Sequence, residues 1–199
     1  MATASKAALR DQLLAARRRV ADDVRAAEAQ HLCERLEASE SVVTSGSTVC
    51  AYVPVGTEPG SAAMLDALLR RTARVLLPVA RTTADNTPTP LSWGEYRPGT
   101  LTTGRWGLLE PPQPWLPPSA LAEAAVVLVP ALAVDRRGVR LGRGRGFYDR
   151  SLGGRDPQAR LIAVVRDAEL LDELPADPHD VPMTHALTPR QGLVELVGR

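Results

Sequence analysis

The segment Ala124–Val134 constrains this chain more than any other, because it contains the unbroken run Ala125-Val126-Val127-Leu128-Val129. A strand with one wet face alternates apolar and polar residues. Consecutive apolar side chains instead predict a strand buried on both faces, as in a parallel sheet covered by helices. Shortly after it the chain reads Arg140-Leu141-Gly142-Arg143-Gly144-Arg145-Gly146-Phe147-Tyr148-Asp149. Gly142, Gly144 and Gly146 carry no Cβ, so the backbone there can turn tightly and aim its N–H groups at an anion. Arg140, Arg143 and Arg145 add charge-assisted donors suited to phosphate oxygens. An acid in so basic a place, Asp149, predicts a hard cation such as Mg²⁺. Phe147–Leu152 is expected to start a short helix whose first amides face the same anion.

Strand, glycine-rich turn and helix together predict a polyphosphate site. It follows neither standard fingerprint: no lysine follows the glycines, and Phe147 stands where G-x-G-x-x-G has its third glycine. Arg-Gly repeats also build RNA-binding tracts, but those need many copies in a polar segment. Here a single copy hangs on a hydrophobic strand.

The remaining pattern alternates helix and strand. Ser5 is a candidate N-cap, and Leu9, Leu13, Ala16, Val20, Val24 and Ala27 recur at helical spacing toward Ala38, continuous or broken once. Val49–Val53 reads as a buried strand, followed by a Pro/Gly turn containing Glu58. Ser61–Arg71 has the apolar stripe of an amphipathic helix, and Arg74–Val79 and Leu91–Trp93 read as strands. Residues 97–118, rich in Pro and Gly and carrying Trp106 and Trp115, form a long irregular connection of the kind often used functionally. Further strands are expected at Leu161–Val165 and Met183–Thr188, with a capped helix at Asp167–Leu174. The class is α/β: a layered, largely parallel sheet flanked by helices, in a single domain over residues 1–199.

Composition narrows the partners. A net charge of +1 gives no global pull toward nucleic acid or membrane, so neither partner is expected and any basic attraction is local. Two cysteines, Cys33 and Cys50, make no disulfide framework, and no stretch resembles a signal peptide or reaches membrane-spanning length. A cytoplasmic monomer is the expectation. His31, His179 and His185 show no zinc spacing and read as an incidental helix residue, a packing or capping loop residue and a strand residue. Trp93, Trp106 and Trp115 read as core or loop anchors. Lys6 is the only lysine among 24 basic residues. Its compact ammonium suits a phosphate that a planar guanidinium would not fit, and chance retention near a terminus explains it equally well.

The motifs together resemble the 5-formyltetrahydrofolate cyclo-ligases, also called 5,10-methenyltetrahydrofolate synthetases. Arg140–Asp149 is similar to that family's signature loop, and Lys6-Ala7-Ala8-Leu9-Arg10 to its K-x-x-L-R segment. Glu58, Trp106–Pro111, Val129–Asp135 and the Leu174-Pro175…His179-Asp180-Val181 tail match further family segments in the same order. The resemblance implies ATP-dependent closure of 5-formyltetrahydrofolate to 5,10-methenyltetrahydrofolate, with ADP and phosphate released. It implies ATP contacts at Lys6, Ala7, Ala8, Leu9, Arg10, Arg140, Leu141, Gly142, Arg143, Gly144, Arg145, Gly146, Phe147 and Tyr148. It implies folate contacts at Val53, Glu58, Arg143, Gly144, Arg145, Gly146 and Phe147, and Mg²⁺ at Asp149 and Asp180. Phe147 replaces a common tyrosine, Glu169 a usual glutamine and Ala131 a familiar glycine. Those departures motivate a second reading, a non-catalytic nucleotide or folate sensor on the same fold.

Overall fold

The structure, a computed structural model, describes residues 5–38, 45–177 and 180–197. Its helices are α1 (Lys6–Arg18), α2 (Asp22–Ala38), α3 (Ala62–Arg71) and α4 (Phe147–Ser151). The strands are β1 (Thr48–Cys50), β2 (Arg74–Val79), β3 (Ser92–Glu95), β4 (Thr102–Thr103), β5 (Leu109–Glu110) and β6 (Ala124–Pro130). They continue with β7 (Ala133–Asp135), β8 (Arg140–Leu141), β9 (Arg160–Val164), β10 (Leu170–Leu171), β11 (His185–Thr188) and β12 (Gly192–Glu195).

Seven strands form the main sheet in the order β12-β11-β9-β6-β1-β2-β3. The inner five are parallel, and only the edge strands β3 and β12 pair antiparallel. The expected α/β class with a largely parallel sheet flanked by helices is what the chain forms. β6, at the centre, explains the apolar run. Val126 and Leu128 face a core shared with Leu32 and Leu36 of α2 and Met64, Leu65 and Leu68 of α3. Val127 and Val129 face the opposite core, with Ala120, Leu121 and Leu152. Period-two alternation sends neighbouring side chains to opposite faces, so a strand covered on both sides must be apolar throughout.

Several expected boundaries moved. Ala124–Val134 is two strands: β6 stops at Pro130, which has no N–H for a ladder, and β7 leaves for a small sheet ordered β10-β7-β8. The first helix breaks after Arg18, where Arg19 and Val20 donate to Ala16 and Arg17 in tightened turns, and Asp22 and Asp23 open α2 at the acid-favouring end of its dipole. The break lets the two helices take different faces. Leu9 and Leu13 of α1 pack on the small sheet beside Ala133, Val139 and Leu141, whereas α2 covers α3.

Asp167–Leu174 is not a helix; a 3-10 turn at Asp167–Glu169 leads directly into β10. Of the expected strand Val49–Val53, β1 ends at Cys50, and the Ala51 N–H still donates to the Leu76 carbonyl of β2 at 2.9 Å. The expected final strand starts at His185, and β12, an antiparallel edge strand after the Gly192 turn, has no counterpart in the sequence reading. His179 lies outside the described residues. Among the described residues no helix is long and apolar enough to cross a membrane.

Candidate active site

From β1 the chain moves outward to β2 and β3, then returns to place β6 on the other side of β1. In open α/β sheets such a reversal leaves a crevice at the carboxyl ends of the strands, where ligands bind. A cavity of about 300 Å³ opens there. Its floor is Tyr52 and Val53 after β1, Pro78 and Ala80 at the end of β2, and Pro130 and Ala131 at the end of β6. The arginine-glycine loop, from Gly142 through Gly146 and on to Asp149, forms one wall; Val55 and Glu58 form another, and Trp106, Leu108 and Leu109 the rim.

The loop's path depends on two left-handed glycines, Gly144 at φ +87° and Gly146 at φ +74°, a region that costs other residues about 1–2 kcal/mol. Gly142 serves differently: its carbonyl accepts from Arg10 Nε at 2.9 Å, which docks α1 on the loop. A Cβ on Gly142 would stand 2.7 Å from Arg140 Nη1.

The loop's two outer arginines point to opposite sides of the cavity mouth. Arg143 Nε lies 3.0 Å from Glu58 Oε1 and bridges the two walls. Arg145 lies over the Trp106 ring at 5.2 Å. Arg140, its side chain only 8% exposed, donates to Asp149 Oδ1 at 2.5 Å and lies 5.6 Å from the Tyr148 ring centroid.

Val53, Glu58, Asp149 and the loop residues Arg140, Gly142, Arg143, Gly144, Arg145, Gly146, Phe147 and Tyr148 therefore meet around one space. The others, Lys6, Ala7, Ala8, Leu9, Arg10, Leu141 and Asp180, do not line it. Leu141 is buried in β8 and Leu9 packs against it, while Ala7 and Ala8 face solvent. Lys6 Nζ is held by Asp177 Oδ2 at 2.6 Å and Asp180 Oδ2 at 2.9 Å. Burial works against the Lys6 charge, but the two carboxylates outweigh it and hold its pKa above the ordinary lysine value.

Burial pushes the Glu58 carboxyl above its ordinary range, against the Val55 N–H, Arg143 and Arg17, which favour the charged form. Burial likewise raises the Tyr148 phenol far above its ordinary value. Its Oη is buried without a hydrogen-bond partner beside a cavity it lines, which leaves a donor for a bound molecule.

Trp106, expected as a core or loop anchor, lines the cavity rim. It is not core: it is 44% exposed, sits at φ +56°, and packs on Phe147 with ring centroids 5.8 Å apart. A bulky side chain held in left-handed backbone points to a functional constraint. The available signal was its position between Gly104 and Gly107 in an otherwise irregular segment. Trp93 is core, as expected, and Arg81 covers Trp115 at 4.3 Å.

Among the described residues, no group of three or more His, Cys, Asp and Glu side chains could cage a metal ion. Mg²⁺ does not require a cage, since it is commonly held by one or two carboxylates together with a substrate's phosphates. Asp149, an exposed hard-oxygen donor on the wall of an arginine-lined cavity, fits that mode.

The 5-formyltetrahydrofolate cyclo-ligase family profile matches residues 2–189. A 5-formyltetrahydrofolate cyclo-ligase from Mycolicibacterium smegmatis is 60% identical over 196 residues, covering 98% of this chain and all of the relative. One from Escherichia coli is 29% identical over 154 residues, covering 74% and 80% of the two chains. Among solved structures, the 5,10-methenyltetrahydrofolate synthetase of Aquifex aeolicus shares the fold, with a TM-score of 0.72 at 22% identity over 98% of this chain and 94% of that one. The Mycoplasma pneumoniae synthetase does so with a TM-score of 0.67 at 21% identity, over 90% and 96%. A profile spanning nearly the whole sequence, a full-length relative at this identity and a shared fold lead to one conclusion: the chain belongs to the 5-formyltetrahydrofolate cyclo-ligase family.

Proposed function

We propose that this protein closes 5-formyltetrahydrofolate to 5,10-methenyltetrahydrofolate at the expense of ATP, with Mg²⁺ bound, inside the cavity at the β1/β6 switch point. The observation that carries the reading is the Arg143–Glu58 contact: one ion pair joins a phosphate-type loop to a largely enclosed carboxylate across a single cavity. A phosphoryl donor and a polar heterocycle held on those two walls would meet at its centre.

The chemistry needs such a meeting. A formamide oxygen is a poor leaving group until it is phosphorylated. Transfer of the γ-phosphoryl group to that oxygen releases ADP; N10 then attacks the activated carbon, the C–O bond breaks, and phosphate leaves as N10 loses its proton. Arg143 and Arg145 offset charge on the transferring phosphoryl group, and Arg10 and Lys6 steady the nucleotide from α1. Glu58 accepts hydrogen bonds from the pterin. Asp149 and Asp180 are the candidate Mg²⁺ donors, and the ion when bound offsets charge on the phosphates. Trp106, Leu108 and Leu109 at the rim exclude water from the activated carbon. No covalent nucleophile is required, because positioning and charge suffice.

Methenyltetrahydrofolate absorbs in the near ultraviolet, so its appearance on mixing protein and 5-formyltetrahydrofolate tests the reading directly. Product should form only with both ATP and Mg²⁺. Tight binding of either substrate without turnover would instead establish a sensor.

A further inference from the structure

Arg17 is the one buried residue of α1 and is 1% exposed. Its Nε and Nη2 grip Glu169 at 2.7 Å each. Nη2 also donates to the Ala131 carbonyl at 2.6 Å. Ala131 lines the cavity where the chain leaves β6 for the small sheet, and its neighbour Pro130 gives its carbonyl to Arg140 at 3.3 Å. Two guanidiniums, one from the helix and one from the loop, thus hold successive carbonyls at the end of the central strand.

Glu169 extends the network. It accepts from the Arg166 N–H at 2.8 Å, and Arg166 bonds Glu28 of α2 at 2.7 Å and the Thr57 carbonyl at 3.3 Å. Thr57 immediately precedes Glu58. Both ends of the network therefore stop at the cavity wall, one at Ala131 and one at the turn that presents the carboxylate.

Stability alone explains this poorly. A buried ion pair often contributes no more than a well-packed apolar pair, and Arg17 Nη1 is left buried with no partner, which is itself costly. We propose that Arg17, paired with Glu169, is a positioning residue for the folate end of the cavity, setting the Ala131 wall and, through Arg166, the Glu58 turn. The inference rests on the cyclo-ligase reading, with Glu58 facing the folate.

The test is the double variant Arg17→Met/Glu169→Gln, which leaves no uncompensated charge in the core. Turnover is measured against each substrate, and 5-formyltetrahydrofolate binding is followed separately by calorimetry. The expected result is a melting temperature near wild type, an increase on the order of ten-fold in KM and Kd for the folate, and an ATP KM within about two-fold, since small misplacements at a site have effects of this size. A wild-type folate Kd, or equal losses for both substrates together with a lowered melting temperature, overturns it. Should the double variant not fold, Arg17→Lys reads the same split, because it keeps a charge beside Glu169 but cannot hold both carboxylate oxygens and the Ala131 carbonyl in one planar fork; an unchanged folate Kd there also overturns it. A wild-type protein that binds folate without turning it over refutes the cyclo-ligase reading and leaves the calorimetric comparison to decide on Arg17.

Discussion

Glu58 carries a stability cost that its proposed role in folate binding would explain. Its pKa is raised in the folded protein, so folding favours the protonated carboxyl. That contribution is complete below the ordinary glutamate value and is lost as pH rises through the higher folded value. As the carboxyl ionises with rising pH it therefore weakens folding, despite Arg143 and Arg17 nearby and with Tyr52 and Tyr148 among its neighbours. Glu58→Gln should raise the melting temperature at pH 7 and give no gain near pH 4, while raising the folate requirement and leaving that for ATP nearly unchanged. A neutral-pH melting curve identical to wild type would contradict this. Lys6 offers a second residue-scale test. Its ammonium fits between Asp177 and Asp180, and a planar guanidinium cannot reproduce that compact geometry. Lys6→Arg should fold normally and lose about ten-fold or more in turnover; full activity would make the lone lysine an accident of composition.

Among the elements, α1 and the glycine loop act as a unit, because Arg10 ties them at Gly142 and its guanidinium stands 3.5 Å from where a Gly144 Cβ would be. Space is sufficient there, so Gly144→Ala isolates the backbone cost of φ +87°. That cost is about 1–2 kcal/mol, or roughly 2–8 °C of melting temperature for a domain of this size. Differential scanning calorimetry should show that drop, and ATP titration a weaker affinity. In β6, Leu128→Ala should cost about 2–5 kcal/mol by opening a cavity between the sheet and its covering helices, read as a lowered denaturant midpoint with an unchanged slope.

For the molecule as a whole, a site built from three strand ends, a loop and a turn predicts that ligands stabilise the entire fold. Saturating ATP with Mg²⁺ should raise the melting temperature, since a ligand at a hundred times its Kd adds about 2.7 kcal/mol. Asp149→Asn removes a hard-cation charge at nearly constant shape. Its Mg²⁺ titration of this thermal shift should move to higher concentration, with ATP binding in the absence of metal retained; a wild-type Mg²⁺ dependence would leave Asp149 only as the partner of Arg140.

Periodicity and turn chemistry are local properties, and the sequence alone determined what depends on them: the class of sheet, β2 to the residue, the glycine loop and its union with an aromatic pair and an acid. The motif resemblance supplied Glu58 and Lys6, which composition would have left as a solvated turn acid and a stray cation. The tertiary structure decided what depends on residues far apart in the chain. Whether the apolar run continued past Pro130 turned on which sheet received β7. Asp167–Leu174 carried a helix-like pattern that lost to pairing with β7 and to the Arg17–Glu169 contact. That contact joins positions 152 residues apart, so no local pattern announces it. Trp106 belongs to the site for the same reason: its side chain reaches Phe147 and Arg145 only once the irregular segment folds over the end of the sheet, where the reversal of strand order leaves a crevice for it to rim.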